Sequence, residues 1–325
     1  MDKKIITLAH GSGGTEMAEL IKSFSLTERG NWDNFDNDSA TLSIGSNEVL
    51  VYTTDSYVID PIFFPGGDIG HLAVCGTIND LAVMGAKPIG LSLALVIEEG
   101  FLKEDLEKII SSIDRVSNET GIPLATGDTK VMDRGKIDKI IINTSGIGIA
   151  KKEELLTKSI KSGDKVILSG GLGEHAVALL SKRFDYETSI ISDTKSLLSE
   201  IESVKEQIKI ARDVTRGGLA SVLNELCGKH KVRMEIDEQS IPAKNEVRKV
   251  VEMLGIDLYQ LACEGKFICI ASSKDATAVE KKLQSFNKDA KIIGEITKGD
   301  KVIVQTIIGK RIMPHPTGTI VPRIC

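Results

Sequence analysis

Five aspartates stand where a fold can gather carboxylates at the rim of a sheet. Asp38 lies in Asn37-Asp38-Ser39-Ala40, Asp55 closes an apolar run, and Asp80 follows Asn79 in Asn79-Asp80-Leu81-Ala82. Asp128 sits in Gly127-Asp128-Thr129, and Asp213 opens Asp213-Val214-Thr215-Arg216-Gly217-Gly218. Hard carboxylate oxygens brought together at strand ends suit Mg²⁺ carrying nucleotide phosphates. Turn chemistry is the competing reading, because Asp beside Gly is common in turns. The absence of a G-x-x-x-x-G-K-S/T string argues against a P-loop, and neither the kinase catalytic-loop signature nor D-F-G occurs. His10-Gly11-Ser12-Gly13-Gly14 precedes a short helical pattern, so its backbone N–H groups could approach phosphates at a helix N-terminus. A flexible leader would read the same way.

Two charged residues are candidates for proton transfer. Lys130 follows Gly127-Asp128-Thr129, and Glu264 lies in Ala262-Cys263-Glu264-Gly265-Lys266 before an apolar strand pattern. A carboxylate and an ammonium in a dry site can relay a proton; two exposed loop charges are the plainer alternative. Pro322-Arg323-Ile324-Cys325 is the most unusual feature. A thiolate on an extended tail can carry an acyl-type group. Its own α-carboxylate should raise its pKa, so activation would come from a partner protein. The alternative is a chance terminal cysteine. Cys75, Cys227 and Cys269 sit in apolar patterns expected to bury them, and no C-x-x-C pair supports a zinc or thioredoxin reading. His175, His230 and His315 lack metal-ligand spacing and read as structural.

These residues need elements to hold them. Strand patterns occur at Val49–Thr54, Ile89–Ile97, Ile140–Ala150, Phe267–Ala271 and Val302–Ile308, with a short one before Thr126. Asp68 is placed to cap a helix bearing Ile69, Leu72, Ala73 and Leu81, with Gly85 to end it. Glu104–Asn118 is amphipathic, and helical patterns recur at Glu174–Lys182, Gly218–Cys227, Glu246–Leu254 and Ala276–Phe286. Residues 27–47 read as polar and turn-rich. Strands alternating with helices predict α/β or α+β layers. The 325 residues suggest two domains. The expected units are a Gly-rich leader and helix over 1–35, an N-terminal domain over 36–152, a C-terminal domain over 153–312, and a mobile tail over 313–325. A net charge of −5, from 41 basic and 46 acidic residues, disfavours a generic nucleic-acid binder. No apolar run approaches the roughly 18 residues needed to span a bilayer. Residues 1–9 lack a signal-peptide core, so a cytoplasmic location is expected.

Thr54-Asp55-Ser56-Tyr57-Val58-Ile59-Asp60-Pro61, Phe64-Pro65-Gly66-Gly67-Asp68-Ile69-Gly70, Cys75-Gly76-Thr77-Ile78-Asn79-Asp80-Leu81-Ala82, Gly127-Asp128-Thr129-Lys130-Val131 and the ending Pro-Arg-Ile-Cys together resemble the HypE family of hydrogenase maturation proteins. The resemblance spans essentially the whole chain, and the terminal tetrapeptide is its most specific part. The wider superfamily of aminoimidazole ribonucleotide synthetase, selenophosphate synthetase and thiamine-phosphate kinase is similar but lacks the cysteine tail.

The resemblance implies a two-domain α/β fold that forms a homodimer through its N-terminal domains. It implies ATP at the N-domain sheet edge, bound by positions matching Gly11, Gly13, Gly14, Asp38, Asp55, Asn79, Asp80, Asp128, Thr129 and Asp213. Mg²⁺ would be held by Asp38, Asp55, Asp80 and Asp128. It further implies that a carbamoyltransferase, HypF, loads a carbamoyl group onto Cys325. ATP-driven dehydration would then give a thiocyanate, with Lys130 and Glu264 as the relay, and cyanide would pass to iron on the HypC–HypD complex for nickel-iron hydrogenase. Cys263 stands where most relatives are expected to have Asn, and Ser39 where a second acid is expected. A superfamily kinase independent of the tail, and a non-catalytic carrier presenting Cys325, are the competing functions.

Overall fold

The computed structural model describes residues 5–24, 30–318, 321, 323 and 324. Helix α1 (Thr15–Ser23) precedes the short strands β1 (Trp32–Asp33) and β2 (Ala40–Ser43) and the long β3 (Glu48–Tyr57). A two-residue hairpin, β4 (Phe63–Phe64) and β5 (Gly67–Asp68), leads into α2 (Ile69–Val83). Then come β6 (Lys87–Glu98), α3 (Lys103–Thr120), β7 (Leu124–Met132) and β8 (Ile140–Lys151). The second half runs β9 (Lys165–Leu168), α4 (Glu174–Arg183), α5 (Leu198–Val204), β10 (Ile208–Asp213), α6 (Gly218–His230), β11 (Arg233–Asp237) and α7 (Asn245–Leu254). It closes with β12 (Phe267–Ala271), α8 (Ala276–Gln284), β13 (Lys291–Thr297), β14 (Val302–Thr306) and β15 (Gly309–Ile312).

Two mixed sheets result. The first has the order β1-β2-β3-β8-β6-β7 and is antiparallel except for the parallel β6–β7 pair. The second has the order β10-β12-β9-β13-β11-β14-β15, with β11 and β14 parallel. Along β8, buried positions alternate with more open ones, the two-residue period of a strand with one packed face. Helix α2 packs on that face and also meets β10 and α5 of the second half. It is apolar on nearly every side, as a helix between two layers must be; of its residues only His71 and Asp80 escape full burial. Asp68 caps it as expected, accepting from Gly70 N at 2.8 Å and His71 N at 3.0 Å.

Several local expectations change. The turn-rich stretch 27–47 contains β2, which extends the sheet beyond β3. Gly127-Asp128-Thr129-Lys130 does not follow a strand; it lies within β7, whose ladder to β6 overrides the Gly-Asp turn signal. The pattern missed α5 and β10, β11, β13 and β15. In β10, buried Arg212 and Asp213 interrupt the apolar run that would have announced a strand. The tail does run extended after β15, but its described residues are docked, with Met313, Pro316 and Ile324 buried. Among the described residues no helix is long and apolar enough to cross a membrane.

Candidate functional site

Four of the five aspartates converge between the halves. Asp55 comes from the end of β3, Asp80 from the last turns of α2, Asp38 from the segment before β2, and Asp213 from the end of β10. Thr53 ties two of these segments together, its hydroxyl lying 2.7 Å from Asp80 Oδ2 and 3.1 Å from the Asp38 carbonyl oxygen. Ser39 donates to the Asp80 carbonyl at 3.0 Å. Arg212 crosses from the second half to Asp38 Oδ1 at 2.7 Å and to Glu225 Oε2 at 3.0 Å. Arg216 reaches Asp55 at 3.6 Å, and Tyr57 donates to the other Asp55 oxygen at 3.3 Å. Gly76 makes room for that phenol, since any Cβ there would strike the Tyr57 hydroxyl.

The electrostatics follow from crowding. Burial raises the Asp80 carboxyl well above the usual carboxylate range, and the charges of Asp55, Asp213 and Asp38 raise it further. Asp213 is raised well above its ordinary value, first by burial and then by Asp38. Glu264, from the loop before β12, is buried and raised well above its ordinary value by that burial and by Asp213, Asp193 and Asp55. It lines a small cavity with Asp55, Tyr57, Gly76, Asp213, Thr215 and Arg216. Glu264 Oε1 and Asp38 Oδ2 are buried without a hydrogen-bond partner. An acidic cluster with an orphaned carboxylate oxygen suits a hard cation, which would replace the protons that crowding retains. Among the described residues no three His, Cys, Asp or Glu side chains already form a metal cage.

Asp128, Thr129 and Lys130 lie elsewhere in the chain. Asp55, Thr144, Leu93 and Gly127 form one row across β3, β8, β6 and β7. Three interstrand steps of ~4.8 Å put the β7 backbone roughly 14 Å from that of Asp55. All of β7 is exposed, and Lys130 pairs with Asp128 at 3.1 Å. One chain therefore does not bring Lys130 to Glu264. Asn79 points inward: its amide accepts from Leu197 N at 2.8 Å and donates to the Lys195 carbonyl at 3.0 Å and the Glu264 carbonyl at 3.5 Å. Rather than facing a ligand, it clamps α2 to the Glu264 loop. At Gly13 a Cβ would press on the Arg216 backbone, and at Gly14 on the Pro316 carbonyl, so both glycines pack closely against protein. Gly11 is open and lines a cavity of about 370 Å³ with Ser56, Arg216, Gly217 and Ile324.

Pattern reading missed the residues that fix this site from behind. Lys266 is buried between Glu174 at 3.2 Å and Asp193 at 3.1 Å. Asp193 also accepts from Glu264 N at 3.2 Å. His175, read as a lone structural histidine, contacts the tail. Cys75, Cys227, Cys263 and Cys269 are all buried, and burial holds every one of their thiols above its ordinary pKa, Cys227 at about 11. Cys325 lies outside the described residues.

The chain matches the AIR synthase related protein N-terminal domain over residues 36–150 and the corresponding C-terminal domain over 161–307. It is 41% identical to a carbamoyl dehydratase HypE of Rhizobium leguminosarum bv. viciae, over 98% of this chain and 95% of that one. The chain belongs to the HypE family. Two solved HypE structures share its architecture. A HypE–HypF complex aligns with a TM-score of 0.85 at 39% identity, over 93% of this chain and 100% of the other. A HypE in complex with ATP aligns at 0.82 and 35%, over 99% and 100%. This HypE-family fold carries the acidic pocket at the meeting of its two sheets, and the tail runs along the cavity beside it.

Proposed function

We propose that this chain is an ATP-dependent carbamoyl dehydratase of hydrogenase maturation, acting on a carbamoyl group carried by its own Cys325. The observation that carries the reading is the docked tail: Val321, Arg323 and Ile324 line the same cavity as Gly11 and Arg216, and Arg216 also lines the Glu264 pocket. A free small-molecule kinase has no use for a tail seated there.

The amide oxygen of an S-carbamoyl group is a poor leaving group. Attack of that oxygen on the γ-phosphorus of ATP forms an O–P bond, expels ADP, and releases one N–H proton. The C–O bond of the resulting imidate then breaks with phosphate as leaving group. The second N–H proton is lost as the C≡N bond forms, leaving the thiocyanate on sulfur. Glu264, buried with Oε1 short of partners, would accept the first of these protons, and the departing phosphate would carry off the second. Arg216 faces the charge that develops on phosphate. Asp38, Asp55, Asp80 and Asp213 would hold Mg²⁺ with the triphosphate, and the cation would supply charge neutralisation for phosphoryl transfer. Closure of the pocket by the tail would exclude water from the imidate.

The reading includes a homodimer in the cytoplasm. Among the described residues the exposed strand β7 is an edge of its sheet, and a second copy would carry Asp128, Thr129 and Lys130 toward the first copy's pocket. HypF would load the carbamoyl group, and the HypC–HypD complex would take the cyanide. The two domains would run over 36–152 and 153–312, a division supported by the family matches at 36–150 and 161–307, with 1–35 and 313–325 as leader and tail. Incubation with HypF, carbamoyl phosphate and Mg-ATP followed by intact-mass measurement tests the proposal. The Cys325 peptide should gain a carbamoyl and then a cyano group. ATP consumption with no adduct would leave the tail-independent kinase, and an inert nucleotide site would leave the carrier.

A further inference from the structure

His175 is fully buried on α4 and uses both ring nitrogens. Nε2 lies 2.7 Å from the Ile324 carbonyl oxygen and Nδ1 lies 2.8 Å from Ser192 Oγ. A carbonyl can only accept, so Nε2 carries the hydrogen and Nδ1 of the neutral ring accepts from the Ser192 hydroxyl. The network around Ser192 is consistent with this assignment. Its oxygen accepts from Thr194 N at 3.1 Å and lies 2.7 Å from the Thr194 hydroxyl, which can donate to it. Burial lowers the imidazole pKa and keeps the ring neutral. Phe64 packs edge-on against it at 5.4 Å. The ring therefore has one orientation and one tautomer.

One residue earlier, the tail is held again. The Arg323 carbonyl accepts from Asp60 N at 3.2 Å and from Arg183 at 3.1 Å, and the Arg323 side chain pairs with Asp138. Two consecutive tail carbonyls are thus gripped just before residue 325. Ser192, which orients His175, is followed by Asp193, whose carboxylate holds Glu264 N at 3.2 Å and Lys266 at 3.1 Å. Adjacent residues on one segment fix the tail's seat and the Glu264 loop.

We propose that His175 is a positioning residue that seats the tail through the Ile324 carbonyl, and that the Ser192-Asp193 pair sets this seat in register with Glu264. Only the kinetic part of this inference rests on the dehydratase reading. His175 touches neither nucleotide nor carbamoyl group; it decides where the group carried by residue 325 stops. A carrier that must also visit partner proteins benefits from a seat built on neutral hydrogen bonds, which hold modestly and release without separating charges.

The test uses the full-length chain carrying His175→Gln, His175→Asn or His175→Leu. Gln can place an amide N–H near the Nε2 position, whereas Asn reaches only the Nδ1 position and Leu neither. The first readout is the native-state alkylation rate of Cys325 by iodoacetamide, located by peptide mass; the four other cysteines are buried. Leu and Asn should alkylate roughly five- to ten-fold faster than wild type, the equilibrium effect of losing one hydrogen bond, with Gln within about twofold. The second readout is single-turnover dehydration of the preloaded chain. It should slow by a similar factor in Leu and Asn and recover in Gln, with the KM for ATP unchanged. Equal alkylation in all four proteins, or Asn protecting as well as Gln, overturns the seat. Faster alkylation with an unaltered dehydration rate overturns the register with Glu264. If wild type forms no cyano product at all, the dehydratase reading fails, and the alkylation comparison still decides the seat.

Discussion

Asp38 and Arg212 form an ion pair at 2.7 Å that joins the segment before β2 to β10 of the other half. The pair offsets part of the charge of one carboxylate in a crowded set, and Asp80 Oδ2 lies 2.7 Å from the Thr53 hydroxyl. Burying mutually repelling carboxylates has an energetic cost that a bound cation can offset.

That cost sets a first expectation. A carboxyl whose folded pKa lies above its unfolded value keeps its proton longer in the folded state. Its neutral form preserves stability at low pH, and stability falls as pH rises from the ordinary carboxylate range toward the raised value. Asp80→Asn should therefore melt a few degrees higher than wild type near neutral pH without nucleotide, the size of shift that about 1 kcal/mol gives in a large domain. Its melting temperature should also decline less with pH. Asp80→Asn and Asp55→Asn should both lose Mg-ATP turnover. Calorimetry from pH 5 to 8 with an ATPase assay checks this, and wild-type ATPase in both variants would reject the site.

Asn79→Ala should act in the opposite direction. Removing an amide that satisfies Leu197 N, the Lys195 carbonyl and the Glu264 carbonyl strands buried backbone groups. A loss of about 2–3 kcal/mol is expected in urea unfolding. Asn79→Asp should not restore it, because a carboxylate cannot donate to Lys195. A neutral effect would mean that the clamp is unimportant.

Glu264→Gln should still accept the carbamoyl group yet slow cyano formation by roughly 10²–10⁴-fold, the range for losing a general base. Because burial raises the Glu264 pKa, the wild-type rate should climb with pH as that base ionises. Lys130→Ala should stall at the same stage. Lys130 is exposed on the β7 edge, so mixing Lys130→Ala chains with Glu264→Gln chains should restore about a quarter of the activity if dimers exchange and sites are shared between copies. No recovery after verified exchange would place both residues in one chain's site or remove Lys130 from it.

Cys325→Ala should leave ATP binding intact while abolishing carbamoyl loading and cyanide delivery. Residues appended after Cys325 should slow dehydration more than loading, because the closed pocket has to accept them. Intact mass of each protein after reaction with HypF separates the two stages. An adduct on another cysteine would contradict the assignment.

Much of the frame was legible locally. The Asp68 cap and the contiguous apolar residues of α2 announce a buried helix, and the sequence alone places Asp80 on that helix and Asp55 at the end of a strand. The partners were not legible, because they depend on contacts between distant segments. Arg212 resembles a surface charge until β10 is packed against β12, and His175 meets a carbonyl 149 positions away. Asp128 and Lys130 carry family motif positions, yet strand order alone separates them from Asp55 within one chain. Asn79 shows the reverse: its neighbour faces the acidic pocket, while its own amide is spent on backbone.

The route of the tail has a further consequence. Met313 N donates to the Val302 carbonyl at 3.0 Å, the Pro316 carbonyl accepts from Thr15 N at 3.0 Å, and Gly318 N donates to Glu16 at 3.0 Å before the grip on Arg323 and Ile324. Pinned at successive points, the segment works as a measuring tape whose zero mark is β14. One residue inserted or deleted between Gly318 and Arg323 would change the length paid out by about 3.5 Å. That is enough to pull the Arg323 and Ile324 carbonyls out of register with Arg183 and His175, even with every side chain of the pocket intact. Selection on this stretch should therefore act on its length as well as its chemistry.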